Sequence, residues 1–149
     1  MVLTISPSKM AWSVITASDG TYIDVVFSGT VTIADFAQAY DRVTSLASTT
    51  GLRRVVMDLT GVTQNHASIS EIFFEVGRRR TATGTHVALR RAVILPQSPA
   101  LAEKAHFFVT ASINSAFQLR EFADRQRALE WLLKDDLGQA TDPEASAGP

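Results

Sequence analysis

The chain of 149 residues contains no cysteine. Disulfide bonds, thiolate nucleophiles and cysteine-based zinc sites are therefore excluded, because each of them requires that side chain. A strong net charge of either sign is also missing, since the chain has 14 basic and 15 acidic residues. This balance gives no general attraction to nucleic acid or to an anionic membrane.

Long hydrophobic runs are absent as well. No stretch reaches the ~18 apolar residues that a bilayer-spanning helix needs, and residues 1–12 lack the apolar segment of a secretory signal. We therefore expect no membrane span and a cytoplasmic location. Hydrophobic residues still make up 46% of the chain, which is enough for a folded core. We expect a single domain over residues 1–135 and a disordered C-terminal tail over residues 136–149.

The first part of the chain predicts a hairpin followed by a helix. Two short apolar-polar runs flank Asp19-Gly20, a pair that favours a tight turn because both residues tolerate positive φ. Thr32 and Asp35 then resemble the capped start of a helix, and Gly51 is typical of a helix end.

The rest of the chain alternates strands with helices. An apolar strand that begins at Arg53 is followed by a predicted loop over residues 60–68, and Ser68 with Glu71 forms a capping-box pattern. The predicted core face of the helix that follows consists of Ile69, Ile72, Phe73 and Val76. The full order is β-β-α-β-α-β-α-β-α. This predicts an α/β fold with a mixed sheet, parallel except at the opening hairpin.

Two segments resemble the STAS and SpoIIAA-like family, which comprises anti-sigma-factor antagonists and sulfate-transporter modules. Residues 55–63 are similar to the strand-to-loop segment of STAS domains. The closing pattern F-x-D-x-x-x-A-x-x-W-L is similar to that of SpoIIAA-like proteins, and it is formed by Phe122, Asp124, Ala128, Trp131 and Leu132. The resemblance implies the SpoIIAA-like fold and a non-enzymatic binding or regulatory module that acts through protein contacts.

The phosphorylation site of the antagonists is altered here. Those proteins carry Asp-Ser-Ser-Gly after the strand, and a partner kinase phosphorylates a serine in it. The matching positions in this chain are His66, Ala67, Ser68 and Ile69. A phosphoswitch with Ser68 as phosphoacceptor is therefore an alternative function. The lost aspartate and glycine make the chain more similar to SpoIIAA-like proteins of uncharacterised role.

Polar side chains are predicted at the pole where strands end and helices begin. Asn65, His66 and Ser68 belong to one loop, and Ser98 precedes a third helix that Pro99 would begin. Free N–H groups and helix dipoles favour an anion at such a pole. These four residues are a candidate ligand- or anion-binding loop, although capping and turn chemistry explains the same residue types. A pocket between sheet and helices is an alternative place for a small ligand or lipid.

A basic patch is predicted at the opposite pole. It consists of Arg53, Arg54, Arg78, Arg79 and Arg80, with Arg90 and Arg91 in the following strand. An acidic protein, a phosphate-rich ligand or a membrane surface could bind it. Alternatively, these cations compensate helix dipoles and pair with neighbouring acids. No aromatic residues are interleaved with them, so we expect no nucleic acid partner.

No catalytic or metal-binding pattern is found. The histidines, His66, His86 and His106, have neither i,i+4 spacing nor a carboxylate at ligand spacing. Phosphate-loop, nucleophile-elbow and dinucleotide motifs do not occur. We therefore expect no enzyme, metal or cofactor. Asp58, late in a buried strand, is expected to accept hydrogen bonds rather than to act as an acid or base.

A protein partner, or a second copy of the chain, is the expected binding partner. Phe73-Phe74 and Phe107-Phe108 are pairs in which one ring faces the core and its neighbour faces elsewhere. The outward rings, which we assign to Phe74 and Phe107, could line a small pocket or a homodimer surface.

Overall fold

The computed structural model describes residues 11–81, 89–112 and 118–134. The strands are β1 (Trp12–Thr16), β2 (Ile23–Val31), β3 (Arg54–Asn65), β4 (Arg90–Ile94) and β5 (Gln118–Phe122), and the helices are α1 (Ile33–Thr50), α2 (Ile69–Thr81), α3 (Pro99–Ser112) and α4 (Arg125–Leu132). The predicted element order and the α/β class are confirmed. The predicted tail over residues 136–149 lies outside the described residues.

The sheet has five strands in sequence order. β1 is antiparallel to β2, and every later neighbour is parallel, so the sheet is mixed as predicted. The first elements begin and end at the turn and cap residues that the sequence predicts. Gly20 adopts a left-handed φ of 76° in the hairpin turn, Thr32 and Asp35 form the capping box of α1, and Gly51 ends that helix with a φ of 83°.

Three helices cover one face of the sheet, and the fourth covers part of the other. α1, α2 and α3 each connect successive parallel strands in the same direction, so right-handed crossovers place them on one side. α4 follows the last strand and packs on the opposite side against β3, β4 and β5. We call these sides the three-helix face and the one-helix face. α2 contacts chiefly α1 and α3 rather than the sheet itself.

Successive side chains of a strand point to opposite faces of the sheet, so each strand contributes apolar residues to a core on both faces. In β3, Val55 and Leu59 pack on the three-helix face, whereas Val56 packs on the one-helix face. Ala128 and Leu132 of α4 are both fully buried against the Val56 side of the sheet. These two residues belong to the closing sequence pattern, so the pattern identifies the apolar stripe of α4.

β3 runs further than the sequence predicts. Residues 60–68 were expected to form a loop, but the strand continues through Asn65 beside the end of β2. The described part of β4 pairs with β3 only as far as Asp58. Gly61 permits the close pairing with β2, since a Cβ there would lie 3.2 Å from the carbonyl oxygen of Phe27. The β2–β3 pair therefore extends past the rest of the sheet and forms a wall at this pole.

Candidate functional site

α2 presents a different face to the core than predicted. Ile72 is buried as expected, but Ile69 and Phe73 are 45% and 60% exposed, which makes their assignment to the core wrong. Glu75 takes an inward position, together with Arg79 one turn later. The physical reason is that the two charges are buried as an ion pair, so the helix can turn a partly polar face inward.

The outward side of α2 carries an apolar patch formed by Ile69, Phe73 and Phe74, which we call the α2 patch. Phe74 is 72% exposed, and its ring lies 5.8 Å from that of Phe73 in an edge-to-face arrangement. Among the described residues, Ile15 on β1 is the one other large hydrophobic residue that is exposed. Phe107, the second aromatic residue assigned to the surface, is half-buried and packs against the core of α2.

The predicted ligand loop uses its polar groups for caps and turns. Ser68 Oγ accepts a hydrogen bond from Glu71 N at 3.0 Å, and the Glu71 carboxylate accepts one from Ser68 N at 2.9 Å, so the predicted capping box is confirmed. Asn65 Oδ1 accepts from Ala67 N at 2.9 Å. His66 and Ser68 are exposed.

Ser98 occupies the start of α3, where its carbonyl oxygen accepts the first helical hydrogen bond from Ala102 N at 2.8 Å. Its side chain is exposed, and no hydrogen bond in the described part of the chain joins it to Asn65, His66 or Ser68. The structure thus groups three of the four candidate loop residues. A role for them in binding an anion stays a prediction.

Lys104 of α3 holds this loop from the side of the core. Its Nζ donates to the carbonyl oxygens of Asn65 and Ala67, at 2.8 Å and 2.7 Å. The sequence interpretation missed this residue. The available signal was a lysine directly beside Ala105, within the apolar stripe of a helix.

A cavity lies between α2 and the sheet on the three-helix face. Its empty volume is about 560 Å³ when the solvent space at its open mouth is included. It exists because α2 rests on α1 and α3 and leaves room above β3. The apolar wall includes Phe36, Met57, Leu59, Ile72, Leu101 and Phe108. The polar residues in the wall are Asn65, Glu75, Arg79 and Lys104.

A buried ion pair stands at the wall of this cavity. Glu75 and Arg79 are 9% and 11% exposed, and Arg79 Nε lies 3.0 Å from Glu75 Oε2. Arg78, which is more exposed, binds the same carboxylate at 2.7 Å. Burial opposes ionisation of Glu75, but the two arginines outweigh it and lower its pKa. Burial also lowers the pKa of Arg79, and Glu75 partly offsets this effect.

The arginines predicted as one basic patch are divided by the sheet. Arg53 and Arg78 are exposed, whereas Arg79 is buried on the three-helix face. Arg54 turns to the one-helix face and donates to the carbonyl oxygen of Lys134 at 3.2 Å. Consecutive strand residues point to opposite faces, which separates such neighbours. The side chain of Arg80 lies outside the described residues.

The two arginines of β4 are separated in the same way. Arg90 stacks on the ring of Trp131 at 4.3 Å and donates to the carbonyl oxygen of that residue at 2.8 Å. Arg91 is buried on the three-helix face, where burial lowers its pKa to about 10. Of the predicted basic residues that the structure describes, several are therefore used inside the fold rather than on its surface.

The one-helix face contains a charge cluster that the sequence interpretation missed. Arg125, in the first turn of α4, bridges two carboxylates, with Asp24 at 2.6 Å and Asp58 at 3.0 Å. The hydrogen bond to Asp24 is the main cause that raises the pKa of Arg125. Asp58 also accepts hydrogen bonds from the N–H and the hydroxyl of Thr60. Asp58 therefore makes the structural contacts expected of it.

The remaining candidate residues do not converge. Within residues 11–81, 89–112 and 118–134, no three His, Asp or Glu side chains are placed to hold a metal ion. His106 contacts Glu121 at the surface, His66 is exposed in the loop, and His86 lies outside the described residues. None of the described helices has the length and apolar character required to cross a membrane.

Comparison with known proteins relates the chain to solved structures and to no family model. No family model and no curated protein matches the chain. Among solved structures, the chain is similar to an uncharacterised protein of the DUF3478 family from Shewanella loihica PV-4 that has a SpoIIAA-like fold. The TM-score is 0.51 and the identity 19%, over 82% of this chain and 92% of that one. The likeness therefore concerns the fold, and the bacterial protein brings no function with it.

Proposed function

We propose that this chain, which has the SpoIIAA-like fold, is a non-enzymatic binding module that acts through protein contacts and docks its partner on the α2 patch. The observation that supports the proposal is the exposure of Ile69, Phe73 and Phe74 side by side on one helix. Contiguous exposed apolar groups are a feature of interaction surfaces, and aromatic residues are enriched at the centres of protein interfaces.

The geometry of the patch fits a protein partner. Ile69 and Phe73 are one helical turn apart, so their side chains lie next to each other, and Phe74 widens the surface beside them. The described acids and arginines of α2 lie mainly on its other sides, where Glu75 pairs with Arg78 and Arg79. An apolar centre with charged groups around it is the usual anatomy of an interface.

The proposal is tested by site-specific photocrosslinking in the cell that produces the protein. A photoreactive benzophenone amino acid replaces Phe74 in one variant and Ile15 in another. Ile15 is a matched control because it is an exposed apolar residue on the far edge strand. We expect a discrete protein adduct at position 74 that is absent at position 15. The mass of the adduct separates a different partner from a second copy of the chain.

A second variant checks that the patch itself is responsible. In the chain that carries the crosslinker at position 74, Phe73→Ser should remove the adduct while circular dichroism shows an unchanged fold. Equal crosslinking at positions 74 and 15, or an adduct that persists in the Phe73→Ser chain, would contradict the proposal.

A phosphoswitch at Ser68 stays a prediction. The exposed Ser68 borders the α2 patch, so a phosphate there would change the charge next to the docking surface. However, the hydroxyl is used as the helix cap, and the Glu71 carboxylate lies beside it as a like charge. Cytoplasmic location and a regulatory role also stay predictions.

A further inference from the structure

The cavity between α2 and the sheet has more hydrogen-bond donors in its wall than the described residues satisfy. We propose that it binds a small organic acid with an apolar body, whose carboxylate is held by Lys104 and Arg79. This site is separate from the α2 patch and goes beyond the protein contacts proposed above.

The first donor is the ammonium group of Lys104. An ammonium carries three N–H groups, and Lys104 Nζ donates to two carbonyl oxygens, those of Asn65 and Ala67. No carboxylate lies within ion-pair distance of it in the part of the chain that the structure describes. Because Lys104 also lines the cavity, its third N–H is available to a ligand there.

The second donor is the guanidinium group of Arg79. It has five N–H groups, of which one donates to Glu75 at 3.0 Å and one to the carbonyl oxygen of Phe36 at 3.3 Å. The rings of Tyr40 and Phe108 lie 4.2 Å and 5.4 Å from its central carbon and hold it in place. A planar guanidinium fixed in this way suits the two oxygens of a carboxylate.

The charge balance of the wall favours a monoanion. Lys104 and Arg79 contribute two positive charges and Glu75 one negative charge, so the wall carries one positive charge in excess. The Glu75 carboxylate is already bound by Arg78 as well as by Arg79. An uncompensated charge in a partly dry site is costly, and an anionic ligand removes that cost.

The remaining wall selects an apolar body of limited size. Outside its four polar residues, the lining consists of apolar side chains from α1, α2, α3 and β3 and of Pro96. The 560 Å³ includes the open mouth, and the part of it that the centre of a water molecule can reach is about 40 Å³, so the body of the ligand must be short and slender. A short fatty acid fits these limits better than a bare anion or a large lipid.

The test compares three probes that differ in one property each. Octanoate has both the carboxylate and the apolar body, 1-octanol has the body alone, and acetate has the charge alone. Binding is measured by calorimetry and located by the backbone amide shifts of isotope-labelled full-length chain. We expect octanoate to bind about tenfold more tightly than octanol, as one charge-assisted hydrogen bond allows. Acetate should produce no saturable shift, and the octanoate shifts should centre on residues 101–108.

Two variants and one control separate the contribution of the charge from that of the cavity space. Lys104→Met keeps the length of the side chain and should weaken octanoate about tenfold while leaving octanol unchanged. Lys134→Met removes an exposed lysine from the other side of the protein and should change neither affinity. Ala105→Leu fills the cavity without touching a polar group and should abolish binding of both probes.

Three results would overturn the proposal. They are equal affinity for octanoate and octanol, no binding of octanoate to the wild-type chain, and octanoate shifts that centre on the α2 patch. Lys104→Met also removes the donor to two loop carbonyl oxygens, so weaker binding by this variant could reflect a disturbed loop. Ala105→Leu leaves those hydrogen bonds in place and therefore tests the cavity independently. If the wild-type chain prefers octanoate and Ala105→Leu does not bind it, the site is supported whatever the stability of Lys104→Met.

Discussion

The two faces of the sheet bury arginine in different ways. On the one-helix face, Arg125 lies between Asp24 and Asp58 at hydrogen-bond distance from both. Arg90 on the same face is covered by the Trp131 ring and binds a backbone carbonyl. These contacts hold the charges against the neighbouring strands and against helix α4.

On the three-helix face, the positive charges are only partly matched. Arg79 shares the carboxylate of Glu75 with Arg78, and Lys104 binds backbone carbonyl oxygens and has no carboxylate within ion-pair distance among the residues that the structure describes. Both residues border the cavity below α2. Burial of a charge therefore does not by itself indicate a binding site. A site is indicated where buried donors outnumber their acceptors next to empty space.

The largest effect is expected where the ion pair of the three-helix face is broken. Glu75→Gln leaves the buried Arg79 without its anion, so we expect the free energy of unfolding to fall by about 3 kcal/mol. Glu103→Gln on α3 is the control, because Glu103 is exposed and should change stability by less than about 0.5 kcal/mol. Urea unfolding measures both. Equal losses of stability in Glu75→Gln and Glu103→Gln would contradict the claim that the buried carboxylate stabilises the fold more than the exposed one.

The acid dependence of stability checks the same ion pair independently. The pKa of Glu75 in the folded chain lies below its ordinary value of 4.5. Its contribution to stability is therefore complete above the unfolded pKa and is lost as the pH falls through the folded pKa. Between about pH 5 and pH 3 the wild-type chain should lose stability more steeply than Glu75→Gln. Parallel curves for the two chains would contradict the assignment.

The next effect concerns the one-helix face. Arg125→Met leaves Asp24 and Asp58 without their shared cation, and we expect a loss of about 1.5 kcal/mol because the arginine is partly exposed. Arg127→Met on the same helix is the control, since its side chain is 76% exposed and lies 3.9 Å from its nearest carboxylate. Thermal and urea unfolding should show a loss only for Arg125→Met. An equal loss of stability in Arg127→Met would mean that the ion pairs of Arg125 with Asp24 and Asp58 do not contribute to stability.

The smallest effect is expected at the pole of the three-helix face. Ser68→Ala removes the cap of α2 and should cost about 1 kcal/mol. Ser98 begins another helix of the same face, but Ser98→Ala removes no described side-chain hydrogen bond. Its loss of stability should therefore stay below about 0.5 kcal/mol. Amide exchange in the first turn of each helix measures the difference directly. Faster exchange in both variants, to the same degree, would contradict the assigned role of the Ser68 hydroxyl.

Much of the fold could be predicted because its signals are local. The turn at Gly20 and the caps at Thr32 and Ser68 depend on residues within a few positions of one another. The stripe of Ala128 and Leu132 repeats at helical spacing and packs as its pattern indicates. These features are present in the folded chain because the local conformational preferences agree with the packing of the fold, which strengthens them.

The rest could not be predicted because it depends on distant residues. The length of β3 is set by its pairing with the end of β2, and the inward turn of Glu75 is set by where α2 rests on its neighbours. Lys104 and Arg125 find their partners 37 to 39 and 67 to 101 positions away in the chain. Sequence periodicity alone carries no information about such contacts.

The most direct test of the contrast between the two faces places the same larger side chain on each. Ala128 is fully buried in the packed layer under α4, whereas Ala105 borders the cavity under α2. Urea unfolding should show that Ala128→Leu costs about 2 kcal/mol because the layer is filled. Ala105→Leu should stay within about 0.5 kcal/mol of the wild-type chain, since its added carbons enter empty space. Equal losses at the two positions would contradict the account, because the three-helix face would then hold no room for a ligand.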